Sequence, residues 1–595
     1  MSVSLDSELR SRAIDAAQGL ASFDVLLTNG TIVDVATAEL READVGIVGS
    51  LIASVHPPGT RSDAAQLYDV AGKFVAPGFI DTHVHFESSH MTPGNYASVV
   101  VPQGTTTIFC DPHELANVMG LDGVRYAIEA SRGVPLRVIC TAPSSVPSAP
   151  GLEMSGAEFE GEEMREMLSW PEIAGVSEVM DMGGVLRQNR RMTEILTEGI
   201  ASGKIIEGHA RGLSGQALQA YMAAGVTSDH EITSAEDVIE KLRAGLTVEI
   251  RGSHDYLLPG IVEAINKLPH IPQTLTICTD DVAPDYLLEK GGLNDVLRRL
   301  IQYGMDPVQA IRCATLNASY RIRRPDLGLI AAGRTADIAV LADIREMSVE
   351  KVFVAGTLAA SAGRMISPPA PFPIPSYAAA HISSHMSKSR ALSYDDCRVE
   401  IPGISSGRAK VRVINGVRFT SWGELKVDVK DGFAVVPAGC SVMLVQHRHG
   451  RHAAHPQRVL LEGWGEIHGA IATTYSHDSH NLVVLGRSPE DMRIAAAALV
   501  ESGGGMAVVK DGKVIAKVEF PIAGILSAEL PEKLAQAFAQ VRAAADQVVD
   551  WKPPYRVFKA IEGTCLACNP GPHLTDLGLT DGTEGKIVKM YLNEP

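Results

Sequence analysis

The sequence predicts an α/β protein. Its expected parts are a (β/α)8 barrel of the TIM type, a small composite β-sandwich drawn from both flanks of that barrel, and an additional C-terminal α/β domain. Three observations carry this expectation. Eight short apolar segments recur between residues 78 and 280, separated by helix-length stretches, the rhythm of repeated βα units. Strand-like alternation lies on both sides of that region. Histidines and carboxylates fall at the last positions of several of the eight segments, the end at which barrel sites are built.

Taken in chain order, residues 1–23 read as an N-terminal extension. Residues 24–76 alternate in short segments such as DVLLTNGTIVDV and DVGIVGSLIASV, and 328–365 return to the same pattern with GRTADIAVLADI and VEKVFVAGTLA. A chain that leaves a β unit and comes back to it builds one composite unit from the two pieces. The barrel spans 77–327, with strands expected at 78–83, 105–110, 136–140, 174–179, 204–209, 226–230, 246–250 and 275–280. Residues 366–394 are rich in Pro, Ser and Ala and read as a linker. Residues 395–595 form the last domain.

A chain of 595 residues exceeds one ordinary core. Its composition, 45% hydrophobic and 21% charged, is that of a globular protein. The formal net charge of −17 argues against nucleic acid or an anionic membrane as partner. No apolar run has the length of a bilayer span. The opening MSVSLDSELRSRAIDAAQGL lacks an apolar signal core, and the eight cysteines are scattered, so reduced thiols and a cytoplasmic setting are expected. Cys565 and Cys568 form one CxxC without the second pair of a zinc ribbon.

His83 and His85, in DTHVH, stand two apart at the end of the first strand. Alternation on a strand points both imidazoles to the barrel mouth, where they can share a metal. Alone, such a pair is also compatible with two hydrogen-bonded core histidines. Glu178, His209, His230 and Asp280 end the fourth, fifth, sixth and eighth strands, so six candidate ligands converge on one face. Four histidines and two carboxylates exceed the needs of one catalytic ion and point to two divalent metals, with zinc, iron and manganese all compatible. Two ions can share a hydroxide, and Asp280 beside it is placed as the catalytic acid–base. No lysine occurs between Lys73 and Lys204, so strands two to four cannot supply a carboxylated lysine. Glu178 is the candidate bridge between the ions.

These strand ends resemble the amidohydrolase superfamily, and the flanking motifs resemble its bacterial-type adenine deaminases. The stretches are PGFIDTHVHFESS (77–89), CDPHELANVMG (110–120), SEVMDMGGV (177–185), GHARGLSG (208–215), SDHE (228–231) and CTDD (278–281), with HDSHNLVVLG (477–486), FPIAGILS (520–527) and LTDLGLTD (574–581) further on. The resemblance implies deamination of adenine to hypoxanthine in purine salvage, at a binuclear centre of iron or manganese. A homo-oligomer, taken as a dimer, is the expected assembly. Two segments depart from the pattern. EIRGSHDYLLPG (249–260) lacks the glutamate of the family's Arg-Glu-Gly-Ser run, and His90 stands where an apolar residue is expected.

Glu87, two positions beyond His85, is a second catalytic candidate that could pass a proton to a purine nitrogen; a loop salt bridge is its plainer role. With Glu87, the substrate-binding candidates are His113, Glu114, Asp281 and Ser253. Asp111, His113, Glu114 and Asn117 form a polar run that could bind substrate, hold an extra metal or cap the next helix. His447, His449, His452 and His455 match no standard metal spacing and read as a solvated loop, whereas His477, Asp478, His480 and Asn481 are expected to close or line the site. Two other functions share this scaffold: a cyclic amidase of the dihydroorotase or hydantoinase kind, and a non-catalytic binding protein.

Overall fold

A computed structural model describes residues 6–378, 391–417, 420–453, 455–550 and 557–592. The middle of the expected linker, 379–390, lies outside the described residues. All eight expected barrel segments contain strands, at Phe79–Val84, Thr105–Cys110, Arg137–Ala142, Ile173–Val179, Ile205–Gly208, Ser228–Asp229, Thr247–Arg251 and Leu275–Cys278. They pair in parallel as a five-stranded and a three-stranded sheet.

Bonds cross both seams between these sheets. The Thr227 amide donates to the Ile206 carbonyl at 3.0 Å, and the Asp280 amide donates to the His83 carbonyl at 3.0 Å. Asp81 reinforces the second seam by accepting from the Thr279 hydroxyl at 2.6 Å and the Thr279 amide at 3.1 Å. At the first seam Gly208 is required by space, because a Cβ there would lie 2.2 Å from the Ser228 carbonyl oxygen. The result is a TIM-like α/β domain. Strands such as TTTIFC (105–110) are buried along their whole length, as parallel strands covered by helices must be.

The two flanks meet in one nine-stranded sheet. Its junction is the antiparallel pairing of Phe74–Pro77 with Ile338–Asp343, where Ile338 lies opposite Pro77. This sheet leads directly into the first barrel strand and so fixes where the DTHVH segment begins. Before it, Ser7–Ala17 is a helix capped by the Asp6 carboxylate.

The C-terminal part holds a second nine-stranded sheet, running in space from Phe433–Ala434 at one edge to Lys513–Glu519 at the other. Helices Pro489–Ser502 and Pro531–Val548 accompany it. Its core is continuous with that of the barrel: Met91 and Tyr96 belong to the same buried apolar cluster as Phe520 and Phe538. His90, the unexpected polar residue, lies inside this junction. Its ring stacks on Phe520 at 4.2 Å, and its Nδ1 bonds the Ile525 carbonyl at 3.0 Å. Burial depresses its basicity to about 3, so a neutral ring here does an apolar residue's work with one directed bond. All eight cysteines are unpaired thiols. No helix among the described residues is long and apolar enough to cross a membrane.

Candidate active site

The six candidate ligands converge at the C-terminal ends of the barrel strands, all at most 6% exposed. Glu178 is the hub. Its Oε1 lies 3.2 Å from Nε2 of His85 and 3.7 Å from Nε2 of His83. Its Oε2 lies 2.6 Å from Nδ1 of His209 and 3.3 Å from Nε2 of His230. One oxygen of Glu178 thus serves each histidine pair. Asp280 adds Oδ1 to the first pair, 3.2 Å from His85 Nε2 and 3.6 Å from His83 Nε2.

Local structure explains this convergence. His85 bonds the Asp111 carbonyl through Nδ1 at 2.9 Å; that nitrogen is the donor, which leaves Nε2 as a lone pair facing the site. The His83 and His85 Nε2 atoms are 3.1 Å apart. Two imidazole nitrogens and two carboxylates at such separations, in a buried site, call for cationic charge in their midst. The donor set fits a divalent transition ion. Asp280 has a left-handed backbone, φ 58°, an unfavourable conformation for a non-glycine residue that its amide bond to His83 holds in place.

Glu87 is fully buried, and neither carboxylate oxygen has a hydrogen-bond partner among the described residues. Burial raises its pKa to about 8, so near neutral pH it is a protonated acid. Asp281 is partly exposed, with Oδ2 between Arg251 at 3.5 Å and Lys559 at 3.6 Å. Ser253 is not brought to the cluster: it is exposed and accepts from Arg251 Nε. His113 is brought in, its Nδ1 2.8 Å from Asp111 Oδ2 and 3.5 Å from Glu178 Oε1. Glu114 turns away to meet the C-terminal domain, accepting from His480 Nε2 and lying 3.1 Å from His477 Nδ1. Asn117 bonds the backbone carbonyls of His113 and Ser145 at 3.0 and 2.9 Å, which holds the loop.

Five charged residues packed around the site escaped the sequence reading. Glu207, on the same strand face as His209, places Oε1 3.5 Å from His83 Nδ1, and burial raises its pKa to about 8. Arg321, from a helix after the last barrel strand, pairs with Glu207 at 3.3 Å and with Glu249 at 3.0 Å. Arg251 joins Glu231 and Asp280 in one ion-pair network. The available signal was alternation, since Glu207 and Glu249 each stand two before a mouth residue. The histidine loop also differs from expectation. His447 and His449 are buried, and His447 and His452 lie 3.0 and 2.7 Å from Asp576; only His455 is fully exposed among the four.

Residues 74–359 match the amidohydrolase family, and residues 418–586 match the adenine deaminase C-terminal domain. An adenine deaminase of Serratia proteamaculans is 59% identical over 97% of this chain and 96% of its own. Adenine deaminase 2 of Rhizobium meliloti is 53% identical over 99% and 98%. An adenine deaminase of Clostridium botulinum is 34% identical over 97% of each chain.

Proposed function

The chain belongs to the adenine deaminase family of amidohydrolases, and we infer from this membership that it converts adenine and water to hypoxanthine and ammonia. The observation that carries the chemistry is the division of Glu178, one oxygen toward each histidine pair. It supports a centre in which two divalent ions, iron or manganese by the family resemblance and with zinc compatible, would be held by His83, His85 and Asp280 on one side, by His209 and His230 on the other, and by Glu178 in common.

When bound, such ions polarise water enough for it to ionise near neutral pH. Asp280 Oδ1 takes the proton of the attacking water and delivers it to the exocyclic nitrogen. The new C6–O bond then replaces the C6–N bond, and ammonia leaves. Glu87, protonated by burial, donates to a ring nitrogen of the purine and draws electron density from C6. Asp281 borders the purine on the exposed side. Arg251 holds Asp280 Oδ2 and so aims Oδ1 at the reacting face. As ammonia leaves, the proton of the new C6 hydroxyl returns to Glu87, which restores the acid and balances adenine and water against hypoxanthine and ammonia.

The wider setting proposed is a cytoplasmic homodimer in purine salvage. The division proposed is a barrel over 77–327, a composite sandwich from 24–76 and 328–365, and a domain from 395 onward. The cyclic-amidase and scaffold alternatives are not favoured by a family relationship that extends through the C-terminal domain. The test is hypoxanthine and ammonia release from a panel of adenine, adenosine, dihydroorotate and hydantoin, with metal analysis of the same sample. Metal-replete protein that leaves adenine unchanged overturns the proposal.

A further inference from the structure

A second set of ligand atoms lies where the barrel meets the C-terminal domain, adjoining the ring around Glu178 through His113, whose Nδ1 is 3.5 Å from Glu178 Oε1. It draws on two segments more than 360 residues apart: Asp111–Glu114 after the second barrel strand, and His477–His480 from the C-terminal domain. His113 Nε2 lies 3.7 Å from Glu114 Oε1 and 4.0 Å from Asp478 Oδ1. His477 Nδ1 lies 3.1 Å from that same Glu114 oxygen and 3.3 Å from the same Asp478 oxygen. His113, His477 and Asp478 each offer one atom within 4.8 Å of the others.

We propose that His113, Glu114, His477 and Asp478 hold a further divalent metal ion, of the zinc or manganese class, that ties the C-terminal domain to the barrel mouth. Bonds of about 2.0–2.2 Å to nitrogen and oxygen in a tetrahedral site set ligand atoms about 3.3–3.6 Å apart. The separations of 3.1 to 4.0 Å bracket that value. Two imidazoles and two carboxylates suit borderline and moderately hard ions.

The supporting groups are arranged as metal ligands require. His113 donates Nδ1–H to Asp111 Oδ2 at 2.8 Å, leaving Nε2 as a lone pair with no hydrogen-bond partner among the described residues. A carboxylate behind a ligating imidazole is the common outer-shell arrangement. His480 accepts the Ser476 amide at Nδ1, 3.2 Å, so its Nε2–H donates to Glu114 Oε2 and orients that carboxylate. Asp478 is 1% exposed, and neither of its oxygens has a hydrogen-bond partner among the described residues. An ionised carboxylate buried in that way is costly. A divalent ion among these atoms would satisfy both the unpartnered Asp478 oxygens and the His113 lone pair.

The experiment is metal titration of the full-length apoprotein with Mn2+, read as tightly bound equivalents, for wild type, Asp478→Asn and Glu178→Gln. Three equivalents are expected in wild type and two in Asp478→Asn, with Glu178→Gln keeping the interdomain ion. Wild type saturating at two equivalents overturns the proposal, as does a third equivalent that survives Asp478→Asn. The outcome for Glu178→Gln tests the barrel centre separately. If Asp478→Asn fails to fold by thermal melting, Mn2+ anomalous scattering from wild-type crystals decides. A peak between His113 Nε2 and Asp478 Oδ1 is expected, and its absence overturns the proposal.

Discussion

Arg251 grips Asp280 by one oxygen and leaves the other to the histidines. Its guanidinium pairs with Oδ2, while Oδ1 faces His85 at 3.2 Å. Burial opposes the charge on Asp280, but the Arg251 guanidinium outweighs it and holds the carboxyl well below its usual range. Asp280→Asn keeps the shape and removes the base. The expected loss in kcat is at least the factor of about 10²–10⁴ typical of general acid–base catalysis, with the fold kept by circular dichroism. Near-normal turnover would remove Asp280 from the proton path.

Substrate choice follows from the family. The chain is expected to deaminate adenine and to handle adenosine poorly, by at least about tenfold in kcat/KM, the scale on which a pocket rejects a misfitting group. Steady-state assays of base and nucleoside on one preparation check this. Comparable values for the two would overturn it.

Stability rests in part on a buried ion pair beside the site. Lys241 is fully buried, with Nζ 2.7 Å from Asp229 and 2.8 Å from Asp237. Asp229 in turn accepts the Ala210 amide at 2.6 Å and immediately precedes His230. Lys241→Met would strand the Asp229 charge and is expected to cost about 3–5 kcal/mol. Urea unfolding measures it. A loss below about 1 kcal/mol, the scale of an exposed pair, would show that water reaches the carboxylate.

The strand-end ligands were legible because a strand places every second side chain on one face, and the mouth of a parallel barrel collects the last of them. His83, His85, Glu178, His209, His230 and Asp280 needed no more than that. Arg321 was not legible, since a cation on a late helix that reaches Glu207 114 residues earlier leaves no trace in local periodicity. Glu114 and His480 were legible as site candidates, but their pairing with each other was not. Each reads locally as a polar loop residue, and only the docking of two domains makes them partners. His447 looked solvated because histidine-rich loops usually are; its burial against Asp576 is a tertiary event.

Docking also makes the two domains interdependent. Asn95 donates to the Glu529 carbonyl at 2.7 Å, Arg542 pairs with Asp285 at 2.7 Å, and His90 stacks inside the shared core. A chain ending at residue 378 would expose the barrel side of that core, including Met91 and Tyr96. It is expected to aggregate and to be inactive, as measured by sedimentation and hypoxanthine formation. A soluble, fully active truncation would show that the C-terminal domain neither completes the fold nor lines the site.

Glu178→Gln tests the bridge itself. The amide has no charge and one coordinating oxygen, so it can face one histidine pair and not both. If the carboxylate bridges two ions, the variant loses the anion that separates two dications, and their mutual repulsion rises in a site of low dielectric. At least one barrel ion should then be lost or bound much more weakly, and deamination should fall with it. If Glu178 only bonds His209, at 2.6 Å, the glutamine oxygen can accept the same bond, and metal content should be unchanged. Metal stoichiometry therefore separates the two roles before any rate is measured. Two tightly held barrel ions and normal turnover in Glu178→Gln would rule the bridge out.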